Sequence, residues 1–177
     1  MTIRRFDQHQ PVVADSAYVD PGAVVVGDVT LGAYSSVWPM AVIRGDIHRI
    51  RIGARTSIQD GSVLHVTHAS DYHPEGFALQ VGDDVTVGHH VVLHGCTLGD
   101  GCLIGMGSLV MDGAVIEAGA MVGAGSLVSP GTRVSGGDLW LGRPARRERP
   151  LSGPERDYLR YVAARYVALA RRYRGGT

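Results

Sequence analysis

Aliphatic residues recur every six positions through most of this chain, and that period constrains the fold more than any other feature. It is plainest at Leu98, Ile104, Val110, Ile116, Val122, Val128 and Val134, where every step is six residues. Four positions after the aliphatic stands another compact residue: Cys102, Ser108, Ala114, Ala120, Ser126 and Thr132. The same frame runs earlier through Val13, Val19, Val25, Leu31, Val37 and Ile43. It skips three residues, resumes at Ile52, Ile58 and Leu64, breaks for longer, and returns at Val81, Val87 and Leu93. One residue is missing between Leu93 and Leu98.

A fixed period of this kind marks a solenoid of short parallel strands. Each hexad supplies one flat side and three hexads make a triangular turn, so residues 18 apart stack vertically. Pairs such as Pro21-Gly22, Asp100-Gly101 and Pro130-Gly131 suit the tight corners. No stretch before residue 150 holds a helical stripe with so few glycines. A sandwich of short strands is the alternative, but sandwiches do not keep a six-residue phase.

The expected organisation is a solenoid over residues 1–149 and a C-terminal amphipathic helix over 150–177. Residues 1–12 read as an irregular lead-in, and His48-Arg49-Ile50-Arg51 as a corner bulge holding the three-residue surplus. Residues 66–80 read as a loop projecting near a histidine, and the coil should run on to about Leu141. Loops on rigid scaffolds often carry function. Ser152 and Glu155 have the spacing of a capping box. Tyr158, Val162, Tyr166, Leu169 and Tyr173 then form one apolar face. That face is expected to lie on the solenoid wall or on a neighbouring subunit, with a membrane-surface helix as the alternative.

The chain has 177 residues, enough for one domain with a core, and equal numbers of basic and acidic residues, 17 each. The distribution is uneven: from Trp140 onward 10 arginines face Glu148, Glu155 and Asp157, a balance of +7, which leaves residues 1–139 at −7. A basic tail with no aromatic interleaving points away from nucleic acid and towards packing on the acidic prism. No apolar run follows Met1 and no 18-residue apolar segment exists, so a soluble, cytoplasmic protein without a membrane partner is expected. Two cysteines, Cys96 and Cys102, make no disulfide framework. Cys102 has the phase of core packing, and Cys96 lies two residues after His94.

The histidines carry the chemistry. His65 follows Leu64 and His94 follows Leu93, each the third hexad of its turn, so the two should share a corner on successive turns. Neighbouring strands lie roughly 4.8 Å apart, and two imidazoles stacked in this way can share one metal ion. His89 differs. Five extended residues separate it from His94, on the order of 16 Å, so it either has no part in the metal or serves a metal held by another copy. A threefold ring would supply that geometry, and three imidazoles with an open position are a catalytic zinc arrangement. His9, His48, His68, His73 and His90 read as ordinary surface histidines, and chance stacking stands as the alternative for His65 and His94.

The segments Arg44-Gly45-Asp46, Gln59-Asp60-Gly61-Ser62-Val63-Leu64-His65 and Gly88-His89-His90-Val91-Val92-Leu93-His94-Gly95-Cys96 resemble those of the γ-class carbonic anhydrase family of hexapeptide-repeat proteins. The resemblance extends over nearly the whole chain. It implies an all-β solenoid, a left-handed parallel β-helix of triangular cross-section with a C-terminal α-helix. It also implies a homotrimer with Zn2+, or alternatively Fe2+ or Co2+, shared between adjacent subunits, and reversible hydration of CO2 to bicarbonate by a metal-held hydroxide. The family's metal ligands fall on His65, His89 and His94. Its interface arginine and aspartates fall on Arg44, Asp46 and Asp60, and its glutamine beside the metal-bound solvent falls on Gln59. For Arg44, Asp46 and Asp60 an ion network between subunits and a direct chemical role both remain open.

Two positions depart from the best-characterised archaeal members. A glutamate follows their counterpart of Asp46, where this chain has Ile47, and a second follows their first metal histidine, where it reads Val66-Thr67-His68-Ala69. Both acids assist proton transfer in the family. His68 is the candidate replacement, since imidazole titrates near neutral pH, with an ordinary loop histidine as the other reading. Hydrolysis of a thioester, a metal-bearing scaffold without turnover, and a coenzyme A-dependent acyltransferase are the competing functions.

Overall fold

Each hexad becomes a two- or three-residue strand whose aliphatic points inward and whose neighbours turn the corner. The structure, a computed structural model, describes residues 2–175. Its coil is a left-handed parallel β-helix. The usual right-handed preference of parallel crossovers rests on a helix packing back over the sheet. Here each crossover is another short strand, and that constraint does not apply.

Three sides form the prism. The first stacks parts of Val24–Leu31 and Val42–Ile52 with Val63–His65, Val92–His94, Leu109–Val110 and Leu127–Val128. The second carries the other halves of the two long strands with Leu79–Val81, Thr97–Leu98, Val115–Ile116 and Arg133–Val134. Because those long strands bend around one corner, the two sides count as a single sheet. The third stacks Tyr18–Val19, Ser36–Val37, Ser57–Ile58, Thr86–Val87, Leu103–Ile104, Met121–Val122 and Asp138–Gly142.

Pairing places equivalent residues over one another: Ile43 on Leu64, Leu64 on Leu93, Leu93 on Val110. These aliphatics are fully buried. Each contributes roughly 1.5–3 kcal/mol by leaving water. Exposed ion pairs such as Arg55–Asp84 contribute about 0–1 kcal/mol, so the inner column rather than surface charge holds the coil. The compact residues at the corners do more than fit. The hydroxyls of Ser35, Thr56, Ser62 and Ser108 donate to the carbonyls of Gly53, Gly82, Gly88 and Gly123 at 2.6–3.0 Å. Those carbonyls face the interior at a turn, where an unpaired acceptor is costly.

Several sequence boundaries shift. The surplus before Ile52 lies at Asp46–Arg49 rather than 48–51, because the register passes from Gly27↔Gly45 directly to Val29↔Ile50. Ile50 is an inward residue, wholly buried, and cannot belong to the bulge. The loop expected at 66–80 is shorter. Val66 is fully buried, and Leu79–Val81 pairs with Ile50–Ile52, so core packing claims both ends. Thr67 and Phe77 close the loop by antiparallel bridging.

The solenoid also does not end by simple termination. After Asp138–Gly142 the chain reverses at Arg143-Pro144, and Ala145–Pro150 returns antiparallel along the last coil, across the expected boundary at 149/150. This strand covers the open edge that a solenoid otherwise leaves at its end. Arg147 holds Asp138 through two bonds of 2.7 and 2.9 Å.

Helix α1 spans Gly153–Tyr173; the last two residues of the expected helical segment, 176 and 177, lie outside the described residues. Both halves of the capping box between Ser152 and Glu155 are present. The helix packs on the third side, where Trp38 meets Tyr166 and Tyr173 edge-on at centroid distances of 5.7 and 5.2 Å. Of the expected apolar face, Tyr166 and Leu169 pack against the cluster of Tyr18, Trp38 and Ala170 and Val162 is half-buried, while Tyr158 and Tyr173 are 51% and 60% exposed. Leu159, Ala163 and Ala170 are the most deeply buried helix residues, because small side chains let the helix approach the flat side closely. Arg174 ties the helix end to the carbonyls of Asp15 and Ser16 at 2.6 and 2.9 Å. No helix among the described residues is long and apolar enough to cross a membrane.

The cap has a pH signature. Glu155 accepts two bonds from Arg149 at 2.7 and 2.8 Å and one from the Ser152 amide at 2.8 Å, which hold its carboxyl well below the usual 4.5. A depressed folded value gives stability that is present above 4.5 and lost as pH falls towards the folded value. Glu155→Gln should therefore be less stable than the parent at neutral pH, with the difference shrinking on acidification below about 4.5. Urea denaturation across that range measures it, and a pH-independent difference contradicts the assignment.

Candidate metal centre

The expected site residues gather at two edges of the prism. Arg44, Asp46, His65 and His94 meet where the first side turns into the second. Gln59, Asp60 and His89 meet where the third side turns into the first. One whole side of the prism separates the groups. Among the described residues of the single chain, no three His, Cys, Asp or Glu side chains converge as a metal site.

At the first edge, backbone pairing puts His65 directly under His94. His65 Nδ1 and His94 Nε2 stand 3.1 Å apart. The outer nitrogens are each claimed by a carboxylate: Asp46 Oδ1 lies 3.0 Å from His65 Nε2, and Asp112 Oδ1 lies 2.6 Å from His94 Nδ1. A carboxylate can only accept, so both outer nitrogens carry the proton. The two inner nitrogens then present lone pairs to each other, a repulsive arrangement that a cation between them resolves. Two nitrogens bound to a tetrahedral zinc at about 2.0–2.1 Å stand roughly 3.3 Å apart, close to the observed separation. The donor set therefore fits a metal ion.

Arg44 donates to Asp46 Oδ2 at 2.5 Å. Burial works to raise the Asp46 carboxyl, but the bonds from Arg44 and His65 outweigh it and hold the group below the ordinary range. Burial is likewise the main influence on His65 and depresses its imidazole, against the pull of Asp46. Both effects favour the forms a metal site needs, an ionised carboxylate beside a neutral imidazole.

The second edge repeats the motif in simpler form. Asp60 stacks one turn below His89 and its Oδ2 lies 2.9 Å from His89 Nδ1, leaving Nε2 directed away from its own chain's carboxylate. Gly61, at φ +68°, sits under the ring of His90, and a Cβ there would lie 2.5 Å from His90 Nδ1. Glycine thus allows this corner to close. A groove of about 370 Å³ opens beside His89 between the third side and α1, lined by Gln59, Thr86, Met106, Tyr158, Val162 and Tyr166. Gln59 is buried at 4% exposure. Thr86 Oγ1 is the one buried side-chain polar atom among the described residues without a hydrogen-bond partner.

Two residues stand apart from expectation. His68 is exposed on the loop and makes no side-chain hydrogen bond to a described residue, so nothing ties it to either edge. Asp112 was not singled out in the sequence, although it lies 18 positions after His94 and so directly above it on the stack. Cys96 points into the core, where burial pushes its thiol far above the usual value. Cys102 is also buried, its thiol raised to about 11. Both are packing residues.

The chain is similar to several known proteins. The family described as "Bacterial transferase hexapeptide (six repeats)" matches residues 10–45 and 79–110. "Protein YrdA" of Escherichia coli is 52% identical over 157 residues, 89% of this chain and 85% of that protein. A Methanocaldococcus jannaschii protein named "Probable carbonic anhydrase" is 46% identical over 159 residues, 90% and 96% of the two chains. "Gamma carbonic anhydrase 1, mitochondrial" of Arabidopsis thaliana is 42% identical over 163 residues, 90% of this chain and 58% of that longer one. Among solved structures, a hexapeptide transferase family protein from Anaplasma phagocytophilum superposes with a TM-score of 0.87 at 41% identity, covering 96% of each chain.

The geometry fixes the ring tautomers of the metal-free chain. Nitrogen-15 spectra at neutral pH should find His94 protonated at Nδ1 and His65 at Nε2. An Nε2-protonated His94 would contradict the arrangement.

Proposed function

The chain belongs to the γ-class carbonic anhydrase-like family of hexapeptide-repeat proteins, and from that premise we propose that it is a homotrimeric metalloenzyme that hydrates CO2 reversibly to bicarbonate. The observation that carries this reading is the division of the three histidines between two edges of one prism. Each edge is incomplete alone, and each holds its imidazole by a carboxylate so that one nitrogen faces outward or towards a partner imidazole. Threefold association brings one edge of a chain against the other edge of its neighbour.

In this reading His65 and His94 of one chain and His89 of the next would hold Zn2+, with Fe2+ or Co2+ as alternatives. The ion would supply activation of water as a nucleophile at neutral pH. Asp46 and Asp112 hold the protons on the far ring nitrogens of His65 and His94 and so keep the near ones available, and Asp60 stands 2.9 Å from His89 Nδ1. Gln59 has an amide free to donate to and accept from a small oxyacid at the mouth of the groove. The groove's apolar wall, including Met106 and Val162, suits an uncharged gas. Arg44 is half exposed beside Asp46, placed to pair with a neighbour's carboxylate or to attract bicarbonate.

Neither of the acids that assist proton transfer in the family has a counterpart here. Ile47 is 44% exposed and carries no proton. Proton exit from this site falls directly to buffer, with the exposed loop residue His68 as the one candidate relay although no contact ties it to the site, which makes the rate sensitive to buffer concentration. The size of the groove favours a second reading, metal-assisted hydrolysis of a thioester, whose acyl chain would lie along the same wall.

Two measurements test the proposal. Free Zn2+ at about 100 times its dissociation constant should stabilise the folded chain by about 2.7 kcal/mol, raising Tm by roughly 5–10 °C for a chain of this size. Chelator should reverse the shift. In stopped-flow assays of metal-loaded protein purified without oxygen, His94→Ala should fall to the rate of buffer alone. Equal rates for parent and variant would remove this site from the reaction, and thioester hydrolysis lost in the same variant would favour the second reading.

A further inference from the structure

Asp112 is the residue at this site that sequence comparison by motif did not reach, and three separate contacts converge on it. Its Oδ1 accepts from His94 Nδ1 at 2.6 Å, and its Oδ2 accepts from Thr67 Oγ1 at 2.7 Å. Thr67 is the first residue of the inserted loop, where it bridges to Phe77. Below the carboxylate, Gly95 leaves space that no other residue could leave: a Cβ there would lie 2.4 Å from Asp112 Oδ1 and 2.6 Å from Phe77 Cβ. The Phe77 ring crosses the corner and comes within 3.1 Å of where a Cβ on Gly113 would stand. The short five-residue side, the glycine and the loop thus all fit around one carboxylate.

We propose that Asp112 is a positioning residue for the metal centre: it fixes the ring of His94 and, through Thr67, fastens the inserted loop to that ligand. The inference rests on the metal reading given above. His94 is 36% exposed in its side chain, and beyond the His65 ring at a centroid distance of 5.1 Å its ring plane is set by what its Nδ1 donates to. Partners of this kind orient a ligating imidazole and raise its basicity, and their loss typically weakens metal binding by about 10- to 100-fold. Asp46 does the same for His65, but it is shared with Arg44. Among the described residues no arginine or lysine pairs with Asp112, so its charge acts on His94 alone.

The test compares Zn2+ affinity, by competition with a chromophoric chelator, and the visible spectrum of the Co2+-loaded protein, in the full chain. Asp112→Ala should weaken Zn2+ binding about 10- to 100-fold and alter the Co2+ spectrum. Asp112→Asn, which keeps an acceptor oxygen but not the charge, should recover part of the affinity. Thr67→Val should leave the affinity closer to the parent's while loosening the loop to proteolysis. A purely structural role would lower Tm in Asp112→Ala but leave the Co2+ spectrum unchanged. Affinities for both Asp112 variants within about twofold of the parent would overturn the proposal. If Asp112→Ala does not fold, the isosteric Asp112→Asn decides the matter alone. Failure of the metal reading itself looks different: the parent would bind no stoichiometric Zn2+, or His94→Ala would bind it equally well.

Discussion

Every side chain in this molecule takes its place from the parallel backbone pairing that sets each coil squarely over the next. Leu93 lies on Leu64 and Leu64 on Ile43, so the interior is a continuous column to which each side of a coil adds one aliphatic. A slip of one residue in any coil would turn that column outward. The same alignment stacks His94 on His65, Asp112 on His94 and His89 on Asp60. The pairing that builds the core is therefore also what positions the candidate site, and no separate active-site architecture is required.

Much of this was readable from the period. The six-residue phase gave the inward positions, the corners and the stacking of His65 on His94 without reference to any relative. It also separated His89 from them by a full side. The carboxylate above His94 was readable by the same counting, since it lies one turn further on, but an aspartate at a corner is common and only the distance to Nδ1 distinguishes it. What the period did not carry was anything set by packing between unlike elements. Ala145–Pro150 has a string of arginines and no apolar alternation, yet it pairs as a strand because it covers an open coil edge. The helix buried Ala163 and Ala170 deepest, beside the expected Tyr166 and Leu169, because a flat sheet admits the smaller side chains more closely. The loop's limits moved because Val66 and Leu79 are core residues whose phase was interrupted by the insertion itself.

The two edges share a design, in which each imidazole has one nitrogen held by a carboxylate and the other left available. At the first edge the available nitrogens confront each other at 3.1 Å, which strongly favours a cation between them. At the second, the available nitrogen faces outward beside an apolar groove that holds a buried, unpartnered hydroxyl. Under the proposed function the two edges are half-sites of complementary chemistry, set one prism side apart. Likeness to carbonic anhydrases accounts for the residue types, and the solenoid accounts for their separation.

The central claim is that each metal ion is held by histidines of two different chains. Mixed trimers test it most directly. His89→Ala and His94→Ala chains, each expected to lack bound Zn2+ alone, are denatured together in equal amounts and refolded. An interface that takes His65 and His94 from the first variant and His89 from the second is intact, and random assembly makes such interfaces about a quarter of the total. The account predicts recovery of Zn2+ and of CO2 hydration to about that fraction of the parent. Co-refolded trimers that remain as empty and inactive as either variant alone would contradict it.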